Sequence, residues 1–196
     1  MNLRLTLTRL LLVPVALLVL VSHHVYVEGG FWDTLLGATG LLLLLAAMGG
    51  RIWASVYLEG RKNQTLVTEG PYSLVRNPLY LFSLVGFVGA GLAFESFTIP
   101  LLFAIIFFIS HWPAIHGEED TLEDLFGDDF VRYRSRVPRF IPRLRAPRTS
   151  GSVQLDTRRF GKALRDCLAI PLVFIVADLL EWAKLSGVLP VLVEIP

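Results

Sequence analysis

Two short stretches hold most of the side chains in this sequence that could do chemistry. The first, "TEGPYSLVRNPLY" (residues 68–80), sets an arginine, an asparagine, two tyrosines and a Gly-Pro turn between two apolar runs. The second, "HWPAIHGEED" (residues 111–120), closes an apolar run with His116 and the adjacent carboxylates Glu118 and Glu119. Arginine suits a carboxylate, acids suit an ammonium or ribose hydroxyls, and aromatic faces suit stacked rings and cations. Brought together, the two stretches could hold a zwitterionic, adenine-containing ligand. Taken singly, each residue has a plainer role. Arg76 could snorkel or bind lipid phosphate, Asn77 could cap a helix, and Tyr72 and Tyr80 could be interfacial aromatics. The two glutamates could be solvated acids, and His116 a satisfied histidine at the membrane boundary.

The elements that must position these residues are apolar. Of the 196 residues, 54% are hydrophobic and only 18% charged, with a mean hydropathy of +0.59. Soluble domains carry about a quarter charged residues. The apolar runs are nearly continuous rather than amphipathic, which predicts lipid-facing helices. Spans are expected near Leu5–Val27, Trp32–Tyr57, Leu79–Phe94, Phe97–Ile115 and Cys167–Val193. Pro100 suits a first helical turn, Pro113 a kink, and Gly127 a helix break. In the last run Asp178, Glu181 and Lys184 form one polar stripe. The single cysteine, Cys167, excludes an internal disulfide and a multi-cysteine metal site. No metal is expected: His23–His24 lies in a loop far from the Glu118–Glu119 acids, and no dense ligand set is visible.

Every one of the eighteen basic residues except Lys184 falls at the N-terminal end of the first span, at or between the facing ends of the second and third, or between the fourth and fifth. The positive-inside rule then predicts a cytoplasmic N-terminus, cytoplasmic segments 51–78 and 116–166, and a C-terminus on the opposite side. The fold class expected is all-α: a polytopic membrane bundle of about five helices with a cytoplasmic ligand-binding region. Residues 1–58 form the first two spans, 59–147 the core with the two chemical stretches, and 148–196 a tail. In the tail, "RTSGSVQ" reads as a linker and "DTRRFGKALRDCL" as a surface helix capped by Asp156. The last span, with its polar stripe, is a candidate homo-oligomer contact. No nucleic-acid partner is expected.

"GPYSLVRNPLY" and "EEDTLEDLFGDDFVRYRSRVPRFIP" resemble the two signature blocks of the isoprenylcysteine carboxyl methyltransferase and phospholipid methyltransferase superfamily. Its members are integral membrane enzymes that use S-adenosylmethionine and release S-adenosylhomocysteine. The resemblance covers roughly residues 30–143. It implies that Gly70, Tyr72, Arg76, Asn77, Pro78, Tyr80, Glu119, Tyr133, Val137 and Pro138 enclose the cofactor, with Glu118 and His116 as catalytic candidates. The bilayer is then the environment, and the acceptor a membrane lipid or lipophilic small molecule that enters laterally.

The chain departs from the pattern at three places. Asn77 replaces a histidine, Phe82 replaces a small residue, and "SHWPAIHG" lacks the arginine that precedes the glutamate pair in prenylcysteine enzymes. The expected function is methyl transfer to a membrane-embedded or amphipathic acceptor. The alternative is a non-catalytic lipid-binding or scaffold protein that keeps the fold.

Overall fold

The computed structural model describes the backbone of residues 3–149, 153 and 155–196, with side chains from Leu10 onward. The linker reading of "RTSGSVQ" falls in part on Ser150, Gly151, Ser152 and Gln154, outside the described residues. Seven α-helices are described: α1 (Leu3–Val21), α2 (Phe31–Leu58), α3 (Pro78–Leu92), α4 (Thr98–Phe126), α5 (Asp128–Arg136), α6 (Thr157–Leu168) and α7 (Leu172–Leu185). A 3-10 turn covers Gly70–Ser73, and two short strands, β1 (Ser22–His24) and β2 (Val193–Ile195), complete the chain.

The helices α2 and α4 are long and apolar enough to cross a membrane. At 28 and 29 residues they reach about 42 Å, beyond the roughly 30 Å of a bilayer core. The 15-residue α3 packs between them, and α1 lies against α4. Close approach of α2 and α3 depends on missing side chains. A Cβ on Gly40 would stand 2.6 Å from the Ala93 nitrogen, and one on Gly89 would stand 2.9 Å from the Leu44 nitrogen. Small residues of this kind let apolar helices pack where lipid supplies no hydrophobic drive. Pro78 occupies the first turn of α3 and Pro100 that of α4, where the missing N–H costs nothing.

Three expectations are corrected. The fourth span does not stop near Ile115: α4 runs without interruption from Thr98 through Pro113 and the acidic segment, and ends at Gly127, whose φ of 49° breaks it. The run Cys167–Val193 is not one span, because a turn at Ala169–Pro171 divides α6 from α7. At 14 residues α7 reaches only about 21 Å. Finally, the fold is mostly but not wholly helical. β1 and β2 pair in parallel, with Ser22 opposite Val193 and His24 opposite Ile195. Phe97 and Thr98 donate backbone N–H groups to the Pro196 carbonyl. These bonds fasten the end of the chain to the α3–α4 turn. The other end of the bundle carries the connectors 59–77 and 137–148. There the Gly70 N–H donates to the Arg148 carbonyl, Arg76 N–H to Pro138 and Arg143 N–H to Leu74.

Candidate active site

The connector between α2 and α3 takes its shape from Gly70. Its φ is 58°, and a Cβ would lie 2.5 Å from the Tyr57 ring, so only glycine fits both backbone and space. Pro71 then opens the 3-10 turn, which buries Tyr72 and Ser73. A strap downstream holds this turn in place. Arg145 donates from Nη2 to the Ser73 carbonyl at 2.6 Å, and the Arg148 N–H donates to Ser73 Oγ at 3.0 Å. From α5, the Tyr133 hydroxyl donates to the Tyr72 carbonyl at 2.8 Å.

Asn77 precedes α3 but its side chain does not cap the helix. Its Nδ2 donates instead to Glu119 Oε1 at 2.8 Å. The same carboxylate accepts from Arg139 through Nε at 3.2 Å and Nη2 at 2.6 Å, and lies 3.4 Å from Arg76 Nε. Glu119 is 5% exposed. It joins the connector, α4 and the strap at one buried point. Burial draws the Arg76 guanidinium below its ordinary pKa, and the Glu119 carboxylate opposes the shift. An arginine remains cationic throughout.

Beside this junction lies a cavity of about 560 Å³. Of the residues singled out from sequence, Tyr72, Arg76, Asn77, Pro78 and Tyr80 line it from the connector and α3. Glu118 lines it from α4 and Tyr133 from α5. The Glu118 carboxylate accepts from Lys62 Nζ at 2.8 Å across the mouth. Among the described residues the buried Tyr72 hydroxyl has no hydrogen-bond partner, and burial raises the pKa of Tyr72 and Tyr133 well above the ordinary tyrosine value. A buried, unsatisfied hydroxyl on a cavity wall is a group waiting for a polar ligand.

Gly70, Glu119, His116, Val137 and Pro138 stand behind the wall rather than on it. His116 is fully engaged. Its Nδ1 lies 2.9 Å from the Trp112 carbonyl and its Nε2 3.0 Å from Arg139 Nη1. A carbonyl only accepts and a guanidinium only donates, so Nδ1 carries the proton and the Nε2 lone pair is spent on Arg139.

Sequence reasoning missed Arg51 and Ser83. Arg51 is not in a connector; it lies inside α2, with Nη1 donating to Ser83 Oγ and, at 3.5 Å, to the Leu79 carbonyl. A charged residue inside an apolar helix was the available signal. Both residues also border a second, apolar cavity of about 420 Å³, lined by Leu12, Leu44, Phe82, Phe87 and Phe103 among others. Phe82 fits because the facing residue is Gly50, where a Cβ would fall 2.1 Å from its ring.

Residues 31–129 match the family described as phospholipid methyltransferase. The chain belongs to this family. It is 34% identical to the nickel-cobalt-cadmium resistance protein NccN of Alcaligenes xylosoxydans xylosoxydans, over 94% of this chain and 86% of the relative. It is 32% identical to the cobalt-zinc-cadmium resistance protein CzcN of Cupriavidus metallidurans, over 90% of this chain and 81% of the relative. The protein-S-isoprenylcysteine O-methyltransferase of Schizosaccharomyces pombe is 35% identical over 41% of this chain and 34% of its own length. No solved structure gives a significant match. The phospholipid methyltransferase match and the isoprenylcysteine relatives both support the superfamily read from the two signature blocks, and the apolar helices fit its membrane setting.

The expectation that no dense ligand set exists fails at the far end of the bundle. There folding gathers His23, His24, Glu28, Asp33 and Glu181, which are scattered in sequence.

Proposed function

We propose that this chain transfers a methyl group from S-adenosylmethionine to a lipophilic or amphipathic acceptor at the membrane boundary. One observation carries the reading: a cavity of about 560 Å³ with charged groups on its wall and an apolar one of about 420 Å³ meet at Arg51 and Ser83. Ligand pockets for small molecules occupy about 300–1,000 Å³, so each cavity is of suitable size for one reactant. The cofactor supplies a methyl group activated on a sulfonium. Arg76 would hold its carboxylate, Glu118 its ammonium or ribose hydroxyls, and the orphaned Tyr72 hydroxyl would gain a partner. Tyr80 and Tyr133 supply aromatic walls.

Methyl transfer from a sulfonium is an in-line displacement, helped mainly by positioning and by exclusion of water. The chain's residues are suited to that task. The Glu119 clasp fixes the connector against α4, and the buried turn at Gly70 keeps water from one wall. Arg51 offers a cation where the apolar cavity begins, a position suited to the polar end of an acceptor. It stands in for the arginine lacking before Glu118. Glu118, with its carboxylate at the cavity, is the candidate to orient or deprotonate the acceptor. His116 could serve as a base only by giving up Arg139. We place this end of the bundle in the cytoplasm, because the basic connectors lie there. The outward apolar row of α7, including Leu172, Ile175, Leu179 and Trp182, would face lipid or a second copy.

Calorimetry in detergent with S-adenosylhomocysteine tests the cofactor assignment. Saturable binding is expected, weakened at least about tenfold in Tyr72→Phe and Glu118→Gln together. Labelled S-adenosylmethionine added to membranes should label the lipid extract. Absence of both binding and label would favour the non-catalytic alternative.

A second reading rests on the relatives that cover the chain nearly end to end, both named for metal resistance. Methylation by this chain would then contribute to tolerance of divalent cations. Cells lacking the gene should grow less well on cobalt or zinc, and Glu118→Gln should fail to restore them.

A further inference from the structure

At the end of the bundle away from the cavity, one histidine is ringed by acids. His24 Nε2 stands 3.3 Å from Glu28 Oε1, 3.4 Å from Asp33 Oδ1, 3.3 Å from Glu95 Oε2 and 3.8 Å from Glu181 Oε1. The His24 side chain is 3% exposed, yet among the described residues neither ring nitrogen has a hydrogen-bond partner, and Asp33 Oδ1 has none either. A buried polar group without a hydrogen bond is costly, so several of them at one point call for an occupant.

From these groups we infer a binding site for a single divalent transition-metal cation, held by His24, Glu28, Asp33 and Glu181, with His23 and Glu95 beside them.

Spacing supports a cation over direct contacts. A tetrahedral ion with bonds of about 2.0–2.1 Å sets its ligand atoms about 3.3 Å apart. Of the three other ligands, Glu28 at 3.3 Å and Asp33 at 3.4 Å from His24 Nε2 match that edge, and Glu181 stands farther off at 3.8 Å. The four ligand atoms all lie within 4.8 Å of one another. The adjoining cavity, about 20 Å³, is the size of one ion or one water molecule and too small for an organic ligand.

The surroundings are arranged as they are around ligands. His23 Nδ1 lies 3.0 Å from the His24 carbonyl, which can only accept, so Nδ1 carries the proton. That leaves the Nε2 lone pair facing Glu28 Oε1 at 3.2 Å, two acceptors opposed. A cation between them turns repulsion into coordination. Asp33 Oδ2 accepts from the Gly29 N–H at 2.8 Å, which orients Oδ1 toward His24. Four carboxylates meet here, and among the described residues the one ammonium on the same cavity is Lys184. With the histidines neutral, that leaves a surplus of negative charge that a divalent ion relieves. Imidazole and carboxylate without thiolate suit zinc, cobalt or nickel more than copper(I). The site also explains the local fold. β1 carries both histidines, and its pairing with β2 draws the end of the chain beside them.

The inference does not depend on methyl transfer. The test uses full-length, untagged protein in detergent, stripped with chelator, titrated with cobalt(II) by calorimetry and visible absorption. Zinc competes and magnesium serves as control. One cobalt per chain is expected, with the absorption of a nitrogen- and oxygen-ligated ion, displaced by zinc and not by magnesium. Asp33→Asn and Glu28→Gln should each weaken binding at least about tenfold. The Glu28 side chain is 41% exposed, so its variant should keep wild-type helicity by circular dichroism. No saturable binding, or binding of equal strength in wild type and both variants, overturns the assignment and leaves a cluster of protonated histidine and acids only.

Discussion

Glu119→Gln separates a bracing role from a ligand-binding one. The carboxylate accepts from Asn77 and twice from Arg139, and faces Arg76 at 3.4 Å. Glutamine keeps the shape but removes the charge, and its amide must point N–H groups at a donor. Breaking one side of a fully buried ion pair costs about 3–5 kcal/mol. Arg139 is 29% exposed, so water screens part of the loss, and about 2–3 kcal/mol is expected. In a chain of this length each kcal/mol lowers the melting temperature by about 2–4 °C, which gives a fall of roughly 4–12 °C. A thermal melt in detergent reads this directly. Glu118→Gln is the control: its carboxylate is 42% exposed and pairs with an exposed Lys62, so the melt should hardly move while S-adenosylhomocysteine binding weakens. The reasoning is refuted if Glu119→Gln melts like wild type while its ligand binding is lost.

Three further outcomes are expected. Gly70→Ala should destabilise by more than the about 1–2 kcal/mol that a left-handed backbone costs a residue with a Cβ, because the added carbon also strikes Tyr57; a melt checks it. Gly117→Ala, on an exposed turn of α4 with open space around it, should instead raise the melting temperature, by about 0.5–1 kcal/mol of stability. Tyr133 is raised above its ordinary pKa of 10.0 by burial, so its contribution to stability is complete below that pH and is lost as pH rises beyond it. Melts across that range should show Tyr133→Phe weaker by about 1 kcal/mol at neutral pH and less sensitive to alkali than wild type.

Features set by near neighbours along the chain were legible in the sequence. The Gly70–Pro71 turn, Pro78 and Pro100 in first helical turns, the break at Gly127 and the Asp156 cap all follow from backbone geometry within a few residues. Asp156 Oδ1 indeed accepts from the N–H groups of Arg158 and Arg159. The α3–α4 hairpin follows from apolar length with a break between. Arg76, Asn77 and Glu118 belong to the two signature blocks, and folding sets them on the wall of one cavity.

Contacts between distant residues were decided only by folding. Sequence could not tell which of two adjacent glutamates would face the cavity, because adjacent helical positions differ by about 100° in direction and packing of the strap selects between them. It could not show that Arg51 would sit where two cavities join. Nor could it show that His24 would meet Glu28, Asp33, Glu95 and Glu181, since residues as far apart as β1 and α7 share no local signal. A sequence fixes where a backbone can turn and which segments leave water. Charge placement at a distance depends on how those segments pack, and there the tertiary structure alone gives the answer.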